Sequence, residues 1–377
     1  MNVKNFVSCF TEQLGCDFFA GVPDSQLKEF CDYIYDKFEL GKSHFICANE
    51  GNATALAAGA YLASGKIPVV YLQNSGIGNL VNPISSLHND KVYGIPCVYV
   101  VGWRGEPGIK DEPQHLFQGI ITLEQLRILD IATIVVDKLT TEEELIKAMA
   151  AHKEFLNSGK SIAFIVKKET FSSDTNVEYF NKNILNRESI IEAVVDVCGD
   201  DLVVCTTGKA SRELFEIRER KNMSHKYDFL TVGSMGHSSS IALGIALKKP
   251  STKVWCIDGD GAAIMHMGAM ATIGAASPDN LVHIVINNEA HETVGGMPTV
   301  ASKICFKKIA NGCGYPNVLF ADDKVTLNSA LKKATKSNSL TFIEIKAALG
   351  ARENLGRPTT TVKENKHTFV RYVKGLN

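Results

Sequence analysis

Asp260 stands between Gly259 and Gly261 at the end of the apolar run Val254-Trp255-Cys256-Ile257, and Asn287-Asn288 closes a second run that begins at Leu281. A carboxylate and an amide offer hard oxygen donors. Mg2+ takes such donors, but it seeks an octahedron of oxygens and completes it with water and phosphates. One carboxylate, one amide oxygen and a turn carbonyl are too few for an all-protein cage, so the chemistry implied is a metal carrying a diphosphate. Gly259 and Gly261 would let the backbone approach phosphate oxygens, and a helix expected over Met265 to Ala276 would aim its N-terminal amides there. Either fragment alone reads as well as a β-turn or a strand-end cap. Spacing tips the balance: positions 260 and 288 lie 28 residues apart, the length of one strand-helix-strand unit. That length places both groups on the carboxyl edge of one parallel sheet.

A second constellation lies in the first half of the chain. Glu50 ends the run Phe45-Ile46-Cys47 and opens an Ala-rich, almost uncharged stretch that continues to Gly65. A Glu there is favoured by the helix dipole, and beside a buried helix it is desolvated and holds its proton more tightly. Asp24, in Gly21-Val22-Pro23-Asp24-Ser25, leaves the first strand; it is equally a helix N-cap. His115 follows another strand and could move a proton near neutral pH. Cations that could meet an anionic substrate are Arg104 and Lys110 in the loop Gly102 to Glu112, Lys209 in Thr207-Gly208-Lys209, and Arg352 and Arg357 near the C-terminus. The first of these segments is a charged, glycine-bearing length suited to an active-site lid. For each cation alone, solvated surface charge is the ordinary reading.

The elements that must position these groups alternate strand and helix twice over. The expected fold class is α/β, with two successive doubly wound, mostly parallel sheet domains: residues 1–167, a polar linker 168–186, and residues 187–377. The net charge of -1 is interspersed, which argues against nucleic acid or an anionic membrane as partner. No run approaches the roughly 20 apolar residues that span a bilayer, and the N-terminus lacks a signal-peptide core, so a cytoplasmic protein is expected. Ten cysteines are scattered without a Cys-x-x-Cys pair and read as buried reduced thiols. Gly76-Ile77-Gly78 lacks the third glycine of a dinucleotide fingerprint, and Gly159-Lys160-Ser161 has Glu154 where a P-loop needs its first glycine.

Gly-Asp-Gly followed by Asn-Asn resembles the signature of thiamine diphosphate-dependent enzymes. The resemblance to the decarboxylases of that family extends over nearly the whole chain: Asn-Glu-Gly-Asn-Ala at 49–53, Arg-Gly-Glu-Pro-Gly-Ile-Lys-Asp-Glu-Pro-Gln-His at 104–115, Thr-Gly-Lys-Ala-Ser-Arg-Glu-Leu at 207–214, Gly-Ser-Met-Gly-His at 233–237, and Leu-Gly-Arg-Pro-Thr-Thr-Thr at 355–361. It implies the thiamine diphosphate-binding fold without the middle domain of the larger decarboxylases. It further implies Mg2+ held by Asp260, Asn288 and the carbonyl of Ala290, where many members have Gly, with Gly259 and Gly261 beside the diphosphate. Met235 would wedge thiamine into its bent form, and Glu50 would drive the imino tautomer of the aminopyrimidine. Asp24 and His115 would transfer protons, while Arg104, Lys110 and Lys209 would grip the substrate. The implied reaction is decarboxylation of a 2-oxo acid, 3-phosphonopyruvate, to phosphonoacetaldehyde in phosphonate biosynthesis. Sulfopyruvate or another 2-oxo acid is the alternative substrate, and a thiamine diphosphate-binding regulatory module is the non-enzymatic one. The family places its cofactor between two subunits, which implies at least a dimer.

Overall fold

Short runs of β-branched and aromatic residues, closed by glycine or polar residues, become buried parallel strands in the computed structural model, which describes residues 1–376. Contacts divide the chain into two units, Met1–Glu178 and Tyr179–Asn377. In the first, helix α1 (Val3–Gln13) precedes β1 (Phe19–Gly21), α2 (Lys28–Lys37), β2 (His44–Ile46) and α3 (Glu50–Ser64). There follow β3 (Val69–Gln73), α4 (Ile77–Pro83), β4 (Val98–Gly102), α5 (Pro113–Ile128), β5 (Ala132–Val136), α6 (Glu142–Asn157) and β6 (Ile162–Val166). The six strands are parallel in the order β2-β1-β3-β4-β6-β5.

The second unit runs α7 (Arg187–Cys198), β7 (Leu202–Cys205), α8 (Lys209–Arg220), β8 (Asp228–Leu230), α9 (Ser238–Lys248) and β9 (Val254–Gly259). It continues through α10 (Asp260–Met265), α11 (Gly268–Ala276), β10 (Leu281–Asn287), the small ribbon β11 (Ala290–His291) and β12 (Met297–Pro298), and α12 (Phe306–Gly312). β13 (Asn317–Ala321), α13 (Lys324–Lys336), β14 (Thr341–Lys346) and α14 (Val362–Lys374) complete it. Its main sheet is ordered β13-β14-β10-β9-β7-β8. Counted from the first strand of each unit, both sheets read second, first, third, fourth, sixth, fifth. The two halves therefore repeat one topology, and in each the order reverses beside the first strand. That reversal opens a crevice at the carboxyl edge, where ligands bind in such sheets.

Helix starts follow local chemistry. Thr141 and Glu144 form a reciprocal capping box on α6, Asp323 and Thr326 one on α13, and Thr361 and Glu364 one on α14. Each sheet is buried on both faces. Val70, Leu72, Tyr99 and Val101 pack with Ala53, Ala57 and Leu80 of α3 and α4 in the first unit. Trp255, Ile257, Ile284 and Ile343 pack with Ile191, Val194 and Leu214 of α7 and α8 in the second. The segment between the units is not a free tether. Its early part pairs with the N-terminus, Ser172 N donating to Met1 O at 2.8 Å. Later, Asn181 Nδ2 donates to the carbonyls of Asn288 (2.8 Å) and Ala347 (3.0 Å).

One expected helix is corrected. Met265 to Ala276 is not continuous: α10 starts at Asp260 and ends at Met265, and α11 begins at Gly268. His266 adopts a non-helical conformation (φ -128°, ψ 49°) at the break, where the backbone of Gly236 crowds in; a Cβ there would stand 2.9 Å from Ala262 O. No helix of the described residues is long and apolar enough to cross a membrane.

Candidate active site

In the first unit each strand end delivers a polar group. After β2, Cys47 N still donates to Gly21 O at 2.7 Å. Asn49 then caps α3, its side chain accepting from Gly51 N (2.8 Å) and Asn52 N (3.4 Å). Glu50 is thereby fixed as the first helical residue, 5% exposed. Its Oε2 accepts from Asn79 Nδ2 at 2.7 Å, and its Oε1 lies so close to Gly76 that a Cβ there would stand 2.4 Å away. Burial raises the proton affinity of Glu50 above the usual carboxylate range, and the Asn79 bond opposes that only in part.

Asp24 does not cap the short turn that follows it. It is 1% exposed, and its Oδ1 accepts from Nε2 of Gln73, the last residue of β3, at 2.6 Å. Its Oδ2 has no partner among the described residues and faces Gly102 at the end of β4, where a Cβ would come within 2.0 Å. Burial raises its proton affinity too, against the Gln73 bond and the charge of Arg104. His115, on the first turn of α5, is half-buried; burial and Arg104 both lower its proton affinity, and its Nδ1 has no partner among the described residues.

The loop expected as a lid is folded onto its own unit. Arg104 donates from Nε (2.8 Å) and Nη2 (2.5 Å) to the two oxygens of Asp111, and from Nη1 to Ser25 Oγ (3.0 Å). Asn74, fully buried, donates to Arg104 O at 2.8 Å, and Trp103 Nε1 donates to Gly119 O at 2.9 Å. The backbones of Gly105 and Gly119 touch; a Cβ on Gly119 would stand 1.7 Å from Gly105 O. Lys167 pairs with Glu106 at 2.8 Å. Lys110 alone among these cations points into solvent at the loop's tip. Arg104 is thus committed to Asp111, a bidentate pair that fixes the loop.

In the second unit β9 and β10 are parallel neighbours, with Ile286 opposite Gly259. Asp260 and Asn288 therefore leave adjacent strand ends. A third residue ties them together. Thr299 donates from Oγ1 to Asp260 Oδ2 at 2.6 Å and from its backbone N to Glu289 O at 2.9 Å. Asn288 Nδ2 donates to Glu292 Oε2 at 2.9 Å, while its Oδ1 accepts from Ala290 N at 3.2 Å. Asn287 is fully buried; it donates to Glu344 at 2.9 Å inside the sheet and accepts from Glu289 N at 3.2 Å in the turn that follows. Asp260 is 3% exposed, and burial pushes its carboxyl up to about 7 against the Thr299 bond. A buried acid so reluctant to ionise alone is one that a bound cation would satisfy, and carboxylate, amide oxygen and the Ala290 carbonyl are the hard donors Mg2+ prefers. The residues present fit the metal.

The neighbouring wall comes from the segment after β8. Gly233, Ser234 and Gly236 all have positive φ (69°, 49° and 86°), which bends Met235 back toward α10. A Cβ on Gly261 would meet Met235 Cε at 3.3 Å and His291 Cε1 at 3.4 Å, so this glycine leaves backbone bare between two side chains. Burial lowers His291 to about 4, keeping the ring neutral. Lys209, at the start of α8, pairs with Glu292 at 3.2 Å. Arg352 is bound to Glu188 (2.9 Å) and Glu216, and Arg357 is exposed. The sequence alone does not single out Asn79, Gln73, Thr299 or Glu292, because no motif spacing ties them to the groups they hold.

Both units match families of one kind. Residues 1–128 match the family described as thiamine pyrophosphate enzyme, N-terminal TPP binding domain, and residues 206–345 match thiamine pyrophosphate enzyme, C-terminal TPP binding domain. A phosphonopyruvate decarboxylase of Streptomyces viridochromogenes is 33% identical over 376 residues, covering 96% of this chain and 92% of the relative. One of Streptomyces hygroscopicus is 30% identical over 372 residues, 94% of this chain and 90% of the relative. A sulfopyruvate decarboxylase of Methanosarcina acetivorans is 26% identical over 368 residues, 92% and 91%.

Proposed function

Because the chain belongs to the thiamine pyrophosphate enzymes, in the family of the phosphonopyruvate decarboxylases, we propose that it decarboxylates 3-phosphonopyruvate to phosphonoacetaldehyde and carbon dioxide in the cytoplasm, as a step of phosphonate biosynthesis. The observation that carries this reading is a pair of buried acids, Glu50 and Asp260, each at the carboxyl edge of a sheet of the same topology. Thiamine diphosphate, when bound, supplies the electron sink for the pair left by departing carbon dioxide. Asp260, Asn288 and the Ala290 carbonyl would hold its Mg2+, Gly259 and Gly261 would leave room for the diphosphate, and Met235 would support the ring system.

Glu50 would exchange its proton with the cofactor's pyrimidine ring. Desolvation makes the carboxyl hold its proton more tightly than an ordinary carboxylate, and Asn79 and Gly76 fix it in one orientation. Asp24 and His115 are the candidates for protonating the product carbon, and Gln73 leaves one oxygen of Asp24 unengaged for the task. The substrate's phosphonate carries up to two negative charges. Lys110 and Lys209 would meet it, and Arg104, locked to Asp111, would contribute field more than direct contact.

We further propose self-association to at least a dimer, in which Glu50 of one chain and Asp260 of another serve one cofactor. Support comes from apolar side chains left in solvent on α3, α4 and α5: Leu62 (73% exposed), Val81 (48%), Phe117 (70%) and Ile120 (64%). Two measurements test the reading. Carbon dioxide release from phosphonopyruvate, sulfopyruvate and pyruvate, each with thiamine diphosphate and Mg2+, should favour phosphonopyruvate; a preference for sulfopyruvate overturns the substrate. Mixing inactive Glu50→Gln with inactive Asp260→Ala chains should restore activity, since a mixed dimer holds one intact pair. No recovery after subunit exchange overturns the shared site.

A further inference from the structure

An asparagine can ligate a cation only if its amide oxygen faces the metal, and the amide alone has no preference for that orientation. We propose that Glu292 is the positioning residue that sets it. Glu292 Oε2 accepts from Asn288 Nδ2 at 2.9 Å. Turning the amide over would set Oδ1 against Oε2, two acceptors without a proton between them, so the carboxylate holds the NH2 end and turns the oxygen away from itself. Asn288 Oδ1 accepts one backbone bond, from Ala290 N at 3.2 Å, and keeps a second lone pair for a cation.

Glu292 is itself held from two sides. Arg187 Nη1 donates to its Oε2, and Lys209 Nζ donates to its Oε1 at 3.2 Å. The far edge of Arg187 is closed by Glu213, with Nε and Nη2 each 2.7 Å from a carboxylate oxygen. Arg187 is 8% exposed and Glu213 1%. Two cations and two anions thus make a neutral, largely buried chain running from α7 through α8 to Asn288. Groups that orient a ligand in this way are worth about 10- to 100-fold in metal affinity.

The inference rests on the placement of Mg2+ at Asp260 and Asn288, and the test separates the two. Thiamine diphosphate binding to the full-length protein is followed by calorimetry as a function of Mg2+ concentration, for the wild type, Glu292→Gln, Glu292→Asp, Asn288→Asp and the double variant Asn288→Asp/Glu292→Gln. In the Asn288 background, Glu292→Gln should raise the Mg2+ needed for half-saturation by about 10- to 100-fold. Glu292→Asp, which keeps the charge for Arg187 and Lys209 but falls short of Asn288, should raise it as well. In the Asn288→Asp background the sign reverses: two facing carboxylates repel, the Glu292→Gln change relieves them, and the requirement falls. A purely structural role for Glu292 moves both backgrounds the same way and overturns the proposal, as does an unchanged Mg2+ requirement in Glu292→Gln. If Asn288→Asp alone leaves the Mg2+ requirement untouched, the metal placement itself fails.

Discussion

Glu50→Gln should make the apo protein more stable and the enzyme nearly inert. The carboxyl is 5% exposed, with a single side-chain donor, Asn79, and with burial as the leading influence on its proton affinity. A buried polar group short of partners costs about 1–3 kcal/mol, and more when charged. Gln keeps the shape and can still accept from Asn79, so the wild-type penalty at neutral pH is relieved. At about 2–4 °C per kcal/mol for a unit of this size, the apo melting temperature should rise by several degrees. The sign of the pH dependence is fixed. The folded pKa lies above the ordinary carboxyl value of 4.5, so the folded state binds the proton more tightly and wild-type stability declines as pH rises past that value. Below it Glu50 is neutral in both states, and the gain from Gln should vanish. Calorimetric melting of both apo proteins from about pH 4 to about pH 8 measures the difference. With thiamine diphosphate and Mg2+, the same substitution should lower kcat by about 10^2- to 10^4-fold, the usual worth of a proton-transfer group. A stability difference that is independent of pH, or a turnover within about tenfold of wild type, would refute the reasoning.

Gly102→Ala should depress turnover through Asp24, because the new Cβ would stand 2.0 Å from Oδ2; Asp24→Asn should give a similar loss while leaving the fold intact by circular dichroism. Arg104→Lys removes the bidentate grip on Asp111, and limited proteolysis should then cut the 104–112 loop faster than in the wild type. Asn365→Ala should lower the melting temperature of the second unit, since this buried side chain accepts from Leu230 N (3.2 Å) and donates to Asp228 O (2.9 Å), pairing an edge strand that has no further neighbour among the described residues.

The strand pattern was legible because buried parallel strands are continuous apolar runs, and the β9 and β10 adjacency followed from the 28 residues between Asp260 and Asn288. The identity of the strand order in the two halves was not, since order depends on how crossovers pack and not on any local run. Met265 to Ala276 read as one helix because no glycine pair or proline interrupts it; the close packing of Gly236 beside Ala262 and His266 is a contact between distant segments that no local run announces. The start of the C-terminal helix is legible too, as the Thr-x-x-Glu cap at Thr361 and Glu364. In the candidate site, Glu50, Asp24, Asp260 and the amide of Asn288 announce themselves after strands. Their partners do not: Asn79, Gln73, Thr299 and Glu292 acquire meaning only when the fold brings them alongside. Gly102 to Glu112 reads as a lid because it is charged and glycine-bearing, yet at Gly105 two backbones touch.

The belt that Asn181 ties around Asn288 and Ala347 bears on where this gene could be divided. A break between Glu178 and Tyr179 leaves Asn181 and Asn183 on the second polypeptide, and the carbonyl of Asn288 keeps its donor. A break only a few codons later hands those asparagines to the wrong product. The second product would then start at its helix, with the strand end beside Asn288 unbraced. The point at which a single-chain enzyme of this kind can become two separately translated subunits is therefore confined to the N-terminal stretch of the connecting segment.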